Sequence, residues 1–185
     1  MKKFIIIIFI VFAVMSVNAK LLSIEVSPSF AHRITGFDDQ TKAGYGFRIA
    51  PNIHLLGFMD ITAGFSYLQF QGAENAILNT TYSSIPVFAG IKIYPFKFMG
   101  IPAVPGEPFF YIEPGVNILG TETSYFNSST STDNSDNLTG VTGGVGYRVY
   151  PGKFGLNLKA DYNYFTGNQS ISYFGLSIGL LFTVI

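Results

Sequence analysis

The 185-residue chain has no cysteine, no tryptophan, two histidines and only 12% charged residues. Without cysteine there is no disulfide, no thiolate metal site and no cysteine nucleophile. The histidines, His32 and His54, fit no metal-ligand spacing, and neither a G-x-S-x-G elbow nor a phosphate loop is present. No cofactor or metal is expected. A net charge of zero argues against nucleic acid as a partner. Beyond residue 20 no apolar run approaches the roughly 18 residues a membrane helix needs. What the chain has is aromatic and aliphatic bulk: 19 Phe and 11 Tyr, too much for a disordered chain.

The first twenty residues read as an export leader. Lys2 and Lys3 precede an unbroken apolar core over 4–14, and Val17-Asn18-Ala19 supplies a small-residue cleavage pattern, placing cleavage after Ala19. A retained anchor helix is the plainer alternative, but the run is short and lacks flanking stop charges. The expected organisation is a leader over 1–19 and one domain over 20–185, with 9 basic and 11 acidic side chains and a net charge of −2.

That domain alternates in steps of two. At its end Phe174, Leu176, Ile178, Leu180, Phe182 and Val184 interleave with Gly175, Ser177, Gly179, Leu181, Thr183 and Ile185. The same pattern recurs over 22–31, 44–50, 60–70, 83–94, 109–119, 139–150 and 154–164, predicting eight strands and no helix. One face carries Glu25, Arg48, Asp60, Lys92, Glu113, Arg148, Lys159 and Asp161 among glycines and serines. The other carries aliphatic and aromatic residues and not one charge. A soluble sandwich would turn its charges to water, but these are too few and too crowded by glycine for a solvated surface. A packed lumen with aliphatic residues facing lipid fits better, giving an all-β, eight-stranded, antiparallel up-and-down transmembrane barrel. A one-residue slip would turn Arg48, Lys92, Arg148 and Lys159 to lipid at about 2–4 kcal/mol each near the midplane.

Strands 2, 4 and 6 share an ending of Gly, apolar, basic, β-branched, small or Tyr, then Pro51, Pro95 or Pro151. Proline cannot donate to a ladder, so each is expected to end its strand. Polar segments at 35–43, 72–81, 121–138 and 165–172 then form outer loops, with short turns and both termini on the periplasmic side. Ser, Thr, Asn and Asp make up 127–137, which reads as a mobile solvated spacer or an adhesive loop. The segment 95–108 either lies in the interface or plugs the inner mouth. Six acidic residues in or beside the loops (Asp38, Asp39, Glu74, Glu122, Asp133, Asp136) face two basic ones (Arg33, Lys42), leaving the outer side at −4 and favouring cationic partners.

Acids on strands 1, 3, 5 and 7 alternate with bases on strands 2, 4 and 6, with Lys159 the exception. A hairpin closing symmetrically on His54 would set Arg48 opposite Asp60. The expected lumen is a neutral, paired network that fills the barrel; a gate whose partners swap is the functional alternative. Two aromatic girdles are expected, Phe30, Tyr67, Phe70, Tyr82, Tyr164 and Phe165 outside and Tyr94, Phe96, Phe109, Phe110, Tyr150 and Phe154 inside. His54 reads as a solvated turn residue. His32 lies near the outer end of strand 1 with lipid-facing parity, and Ser170 and Ser172 share that parity on strand 8. Such a pair could hydrolyse a lipid ester, but no lipid-facing acid orients the histidine.

With these features the domain resembles the small outer-membrane β-barrels of the OmpA/OmpX type. Ser177, Gly179, Phe182 and Val184 match the polar, glycine and spaced hydrophobic positions of that class's assembly signal, although the terminal aromatic is missing and Ile185 adds one residue. The resemblance implies insertion by the outer-membrane assembly machinery, a location in the bacterial outer membrane, and neighbours of outer-membrane lipid and lipopolysaccharide. Lipid A deacylases among such barrels set His and Ser two residues apart on one strand; around His32 those positions are Phe30 and Ile34, so no enzyme is expected. The expectation is a monomeric barrel with a structural or surface-interaction role through four loops, with a narrow gated channel or a lipid-modifying enzyme as alternatives.

Overall fold

The computed structural model describes residues 22–36, 41, 43–74, 78–101, 106–125, 131–150 and 154–184. The expected leader over 1–19, loop residues Asp38, Asp39 and Lys42, residues 126–130, Pro151 and Ile185 lie outside them. Among the described residues are eight strands: β1 (Leu22–Thr35), β2 (Gly44–Leu56), β3 (Met59–Glu74), β4 (Leu78–Ile93), β5 (Glu107–Tyr125), β6 (Ser131–Val149), β7 (Phe154–Thr166) and β8 (Ser170–Thr183). Each pairs antiparallel with the next, and β8 pairs back onto β1, closing the barrel. Closure removes the free edges that an open sheet would present.

The two-residue alternation sorts the side chains. Glu25 and Lys92 have no solvent exposure, and Arg48, Asp60, Glu113, Arg148 and Lys159 are buried inside with them. Outward positions carry exposed Val26, Phe47, Ile61, Val87, Val116, Leu158 and Ile178. Apolar exposure in a continuous band is costly in water and favourable in hydrocarbon.

The strand ends depart from expectation in three ways. First, Pro51 does not end β2, which runs on to Leu56 and turns at Gly57-Phe58. Pro51 points outward opposite Ile24, and the β2–β3 bridges lapse between Ile49 and Asn52, so its missing N–H costs that ladder nothing. Second, a short helix, α1 (Pro95–Phe98), follows β4 with proline in its first turn. It ends in a Schellman pair, Ile101 N–H to Phe96 O and Gly100 N–H to Lys97 O, with Gly100 at φ +68°. Third, among the described residues three of the expected outer loops, 72–81, 121–138 and 165–172, are largely strand. β5 and β6 pair as far as Ser124–Ser131, and β7 and β8 are joined through 167–169. Backbone hydrogen bonds continue the ladder through side chains of low strand propensity, because pairing already fixed by the barrel lowers the cost of extending it.

Candidate functional site

Apolar and charged side chains fill the lumen together. At the outer end Leu68, Phe70, Leu119, Leu138, Phe165, Ile171 and Tyr173 form a buried apolar cluster. Tyr173 holds Phe70 edge-on at 5.7 Å and stacks against Phe165 at 6.4 Å between centroids. At the inner end Tyr94, Phe109 and Tyr111 form a second cluster. Phe70, Phe165, Tyr94 and Phe109 are therefore not girdle residues. Each shares the inward parity of a lumen charge on or beside its own strand: Phe70 with Asp60, Phe165 with Asp161, Tyr94 with Lys92 and Phe109 with Glu113. Phe30, Tyr164, Phe96, Phe110 and Phe154 do face outward near the ends, whereas Tyr150 shares the inward parity of Arg148 and its hydroxyl accepts from Arg148 Nη1 at 3.3 Å.

Charged side chains fill the rest of the lumen and mix with the inner cluster, where the Arg148 guanidinium lies 4.9 Å from the Tyr94 ring centre and 5.7 Å from that of Phe109. Glu25 accepts from Lys92 Nζ at 2.9 Å, Asn157 Nδ2 at 3.0 Å, Ser27 Oγ at 2.9 Å, and from Lys159 Nζ. Lys92 also donates to Asn52 Oδ1 at 2.6 Å. Arg48 donates to Glu113 Oε1 at 2.5 Å with its guanidinium 3.8 Å from the Phe88 ring centre. Asp60 accepts from Arg148 Nη1 at 3.3 Å and from the Tyr94 hydroxyl at 2.6 Å. Asp161 is held by neutral donors, the Tyr111 hydroxyl at 2.7 Å and the Asn163 amide. Bringing an ion into such a space costs several kcal/mol unless partners compensate, and these partners supply that compensation.

The partners are not those that strand adjacency suggested. Arg48 lies opposite Ser66, not Asp60, because the β2–β3 hairpin closes on Gly57-Phe58 and not on His54. Asp60 and Lys92 are register neighbours, yet each reaches a different partner across the lumen. His54 is no turn residue. It sits in β2 opposite Asp60, with Nδ1 2.6 Å from Asp60 Oδ1 and Nε2 3.2 Å from Ser23 Oγ. An Nδ1–H tautomer satisfies both contacts. Sequence reasoning also passed over Asn52, Asn157, Asn163 and Tyr111, whose inward parity was the available signal.

The assembly-signal positions divide between the two faces. Ser177 and Gly179 face the lumen, and a Cβ at Gly179 would come within 2.4 Å of Ser27 Oγ and 3.2 Å of Glu25 Cγ. Phe182 and Val184 are exposed outside, Val184 one residue beyond the end of β8. His32 is exposed on β1 opposite Phe174, while Ser172 is buried with its hydroxyl 2.9 Å from Thr35 Oγ1. No His–Ser pair forms there. The segment after β4 divides likewise: Tyr94 is in the lumen, but Phe98, Met99 and Ile101 of α1 and its cap are exposed, with Phe98 against Phe58 at 5.1 Å and Lys97 bridged to Glu107 at 2.7 Å.

The chain matches no protein-family model and no curated protein. Solved structures do match. Ail, the attachment invasion locus protein of Yersinia pestis, crystallised with the heparin analogue sucrose octasulfate, aligns at 17% identity over 88% of this chain and 97% of its own, with a TM-score of 0.54. A major outer membrane protein from Thermus thermophilus aligns at 10% identity over 86% of this chain and 98% of its own, with a TM-score of 0.57. With its closed eight-stranded wall, filled interior and apolar outer band, the chain has the fold of the small bacterial outer-membrane β-barrels.

Proposed function

We propose that this protein is a non-catalytic outer-membrane barrel that acts at its outer surface, as a structural or contact element, and passes nothing through its centre. The observation that carries this reading is the filling of the lumen by an outer apolar cluster and by a charged network mixed with inner aromatic rings. Eight strands leave an interior just wide enough for side chains, and here side chains occupy it. The outer wall, in contrast, is overbuilt: β5 and β6 have 19 residues each, against about 9–11 needed to span a bilayer. On β6, pairing with β7 begins only at Thr139, so residues 131–138 pair with β5 alone and rise as a hairpin above that side. The heparin analogue in the Ail crystal is a polyanion, whereas this chain's outer segments are acidic, so a cationic partner suits them better.

The test is to replace residues 122–133, which include Glu122 and Asp133, with an Asn-Gly turn between Thr121 and Asn134 and to compare cells carrying either form. Adhesion or binding of a cationic probe such as polylysine should fall, while the amount of folded barrel, read as the gel mobility shift on boiling, stays the same. Unchanged binding with intact folding would remove the contact role from this hairpin.

A further inference from the structure

Outside the lumen, the lipid-facing wall of β6, β7, β8 and β1 carries an open apolar groove of about 730 Å³. Strand register accounts for its shape. One row runs Val145, Ala160, Leu176, Phe30 across the four strands, and the row on its inner side runs Tyr147, Leu158, Ile178. At Ala160 the wall presents a methyl group where its neighbours present Val and Leu, and Pro28 lines the groove from β1. The row on the outer side is Gly143, Tyr162, Phe174, His32. His32 is exposed, two residues beyond Phe30 and so about 7 Å further along β1. It is the nitrogen-bearing side chain of that row.

We propose that this groove holds one acyl chain of an outer-leaflet lipid, with the lipid's phosphate against the His32 imidazole; the inference rests on the barrel's place in the outer membrane. The groove is continuous with the apolar band, where hydrocarbon is the solvent. A dent in that band forfeits dispersion contacts unless something fills it, and a flexible chain follows a concave floor. A second copy packed about a two-fold axis would set dent against dent and leave a void, which close packing disfavours. An imidazole N–H at the outer end supplies a donor to a phosphate oxygen, and the acyl chain then runs inward past Phe30 to Ala160.

The experiment is native mass spectrometry of the full barrel released from zwitterionic detergent micelles doped with lipid A. One lipid A per barrel is expected. Ala160→Phe, which fills the floor, should lower retention at least tenfold, while Ala63→Phe, at an exposed lipid-facing position on β3, should leave it unchanged. His32→Leu, which leaves no donor, should weaken retention of lipid A several-fold and leave that of a phosphate-free diacylglycerol unaltered. Equal retention in Ala160→Phe, no retained lipid in the parent, or a barrel dimer in place of the lipid would each overturn the site. Equal retention of lipid A in His32→Leu would overturn the phosphate contact. Each form is first checked for the gel mobility shift on boiling, and Ala160→Leu replaces Ala160→Phe if the larger side chain prevents folding. A parent that shifts but keeps no lipid refutes the groove alone; one that never shifts refutes the membrane barrel as well.

Discussion

Glu25 takes four donors, two of them ammonium groups, in a space with no exposure to solvent. Truncating it strands Lys92 and Lys159 as unpaired buried cations. Glu25→Ala should therefore destabilise the barrel by about 3–5 kcal/mol, measured as a shift in the urea midpoint for folding into lipid vesicles. Replacing Glu25, Lys92 and Lys159 together with Leu, Met and Met should come out near neutral, because the desolvation cost disappears with the charges. Gly179 poses a different question, since it matches an assembly signal and also leaves room for Ser27 and Glu25. Gly179→Val should cost about 1–3 kcal/mol in vesicles that contain no assembly machinery, as overpacking does. Full stability there, with a defect only in cells, would make its role a recognition signal alone. The lumen charges were legible in the sequence because parity alone separates Glu25 or Lys92 from Val26 or Ile91. Their partners were not legible. Adjacency describes a flat sheet, and closing the sheet brings β1 within reach of β4 and β7, 67 and 134 residues along the chain.

At the scale of elements, strand cores were readable and strand ends were not. The alternation places β7 to within two residues, but β8 begins four residues before the alternation read at the chain's end; residues 121–138 look like loop, and there the ladder continues on backbone hydrogen bonds that composition does not report. Pro51 misled for a related reason: an outward-facing proline at a lapse in the ladder removes no bond. The element least visible in sequence was α1, four residues long with no amphipathic period. Its exposed Phe98 and Met99 make an apolar foot at the inner end of the barrel. Aromatic and sulfur side chains so placed favour the membrane interface. The chain has no tryptophan, so Phe98→Trp introduces a single reporter. In vesicles its emission should be blue-shifted and quenched by lipids nitroxide-labelled near the headgroup. Emission typical of exposed indole, indifferent to those lipids, would place α1 in the aqueous phase.

Taken as a whole, the barrel's seals are of different kinds. The outer one is packed hydrocarbon around Phe70, Phe165 and Tyr173; the inner one is Tyr94 and Phe109, 5.6 Å apart, with the Arg148 guanidinium 4.9 Å from the Tyr94 ring. Ion pairs fill the rest of the lumen and reach into the inner cluster, where Asp60 accepts from the Tyr94 hydroxyl. Seals in series conduct only when all are open, so loss of one should not create a pore. In planar bilayers the parent should show no discrete current steps. The double variant Arg48→Ala/Glu113→Ala, which removes both members of one pair and leaves no charge stranded, should also stay closed, because the aromatic layers still block the ends. So should Phe70→Ala/Phe165→Ala, since the ion pairs remain beneath. Combining the four substitutions with Tyr94→Ala and Phe109→Ala should admit water and small ions, provided the barrel still shifts on boiling. Steps from the parent or from either double variant would mean that one layer alone controls the lumen. The charged network would then be a gate whose partners exchange, and the surface role assigned to this barrel would give way to transport.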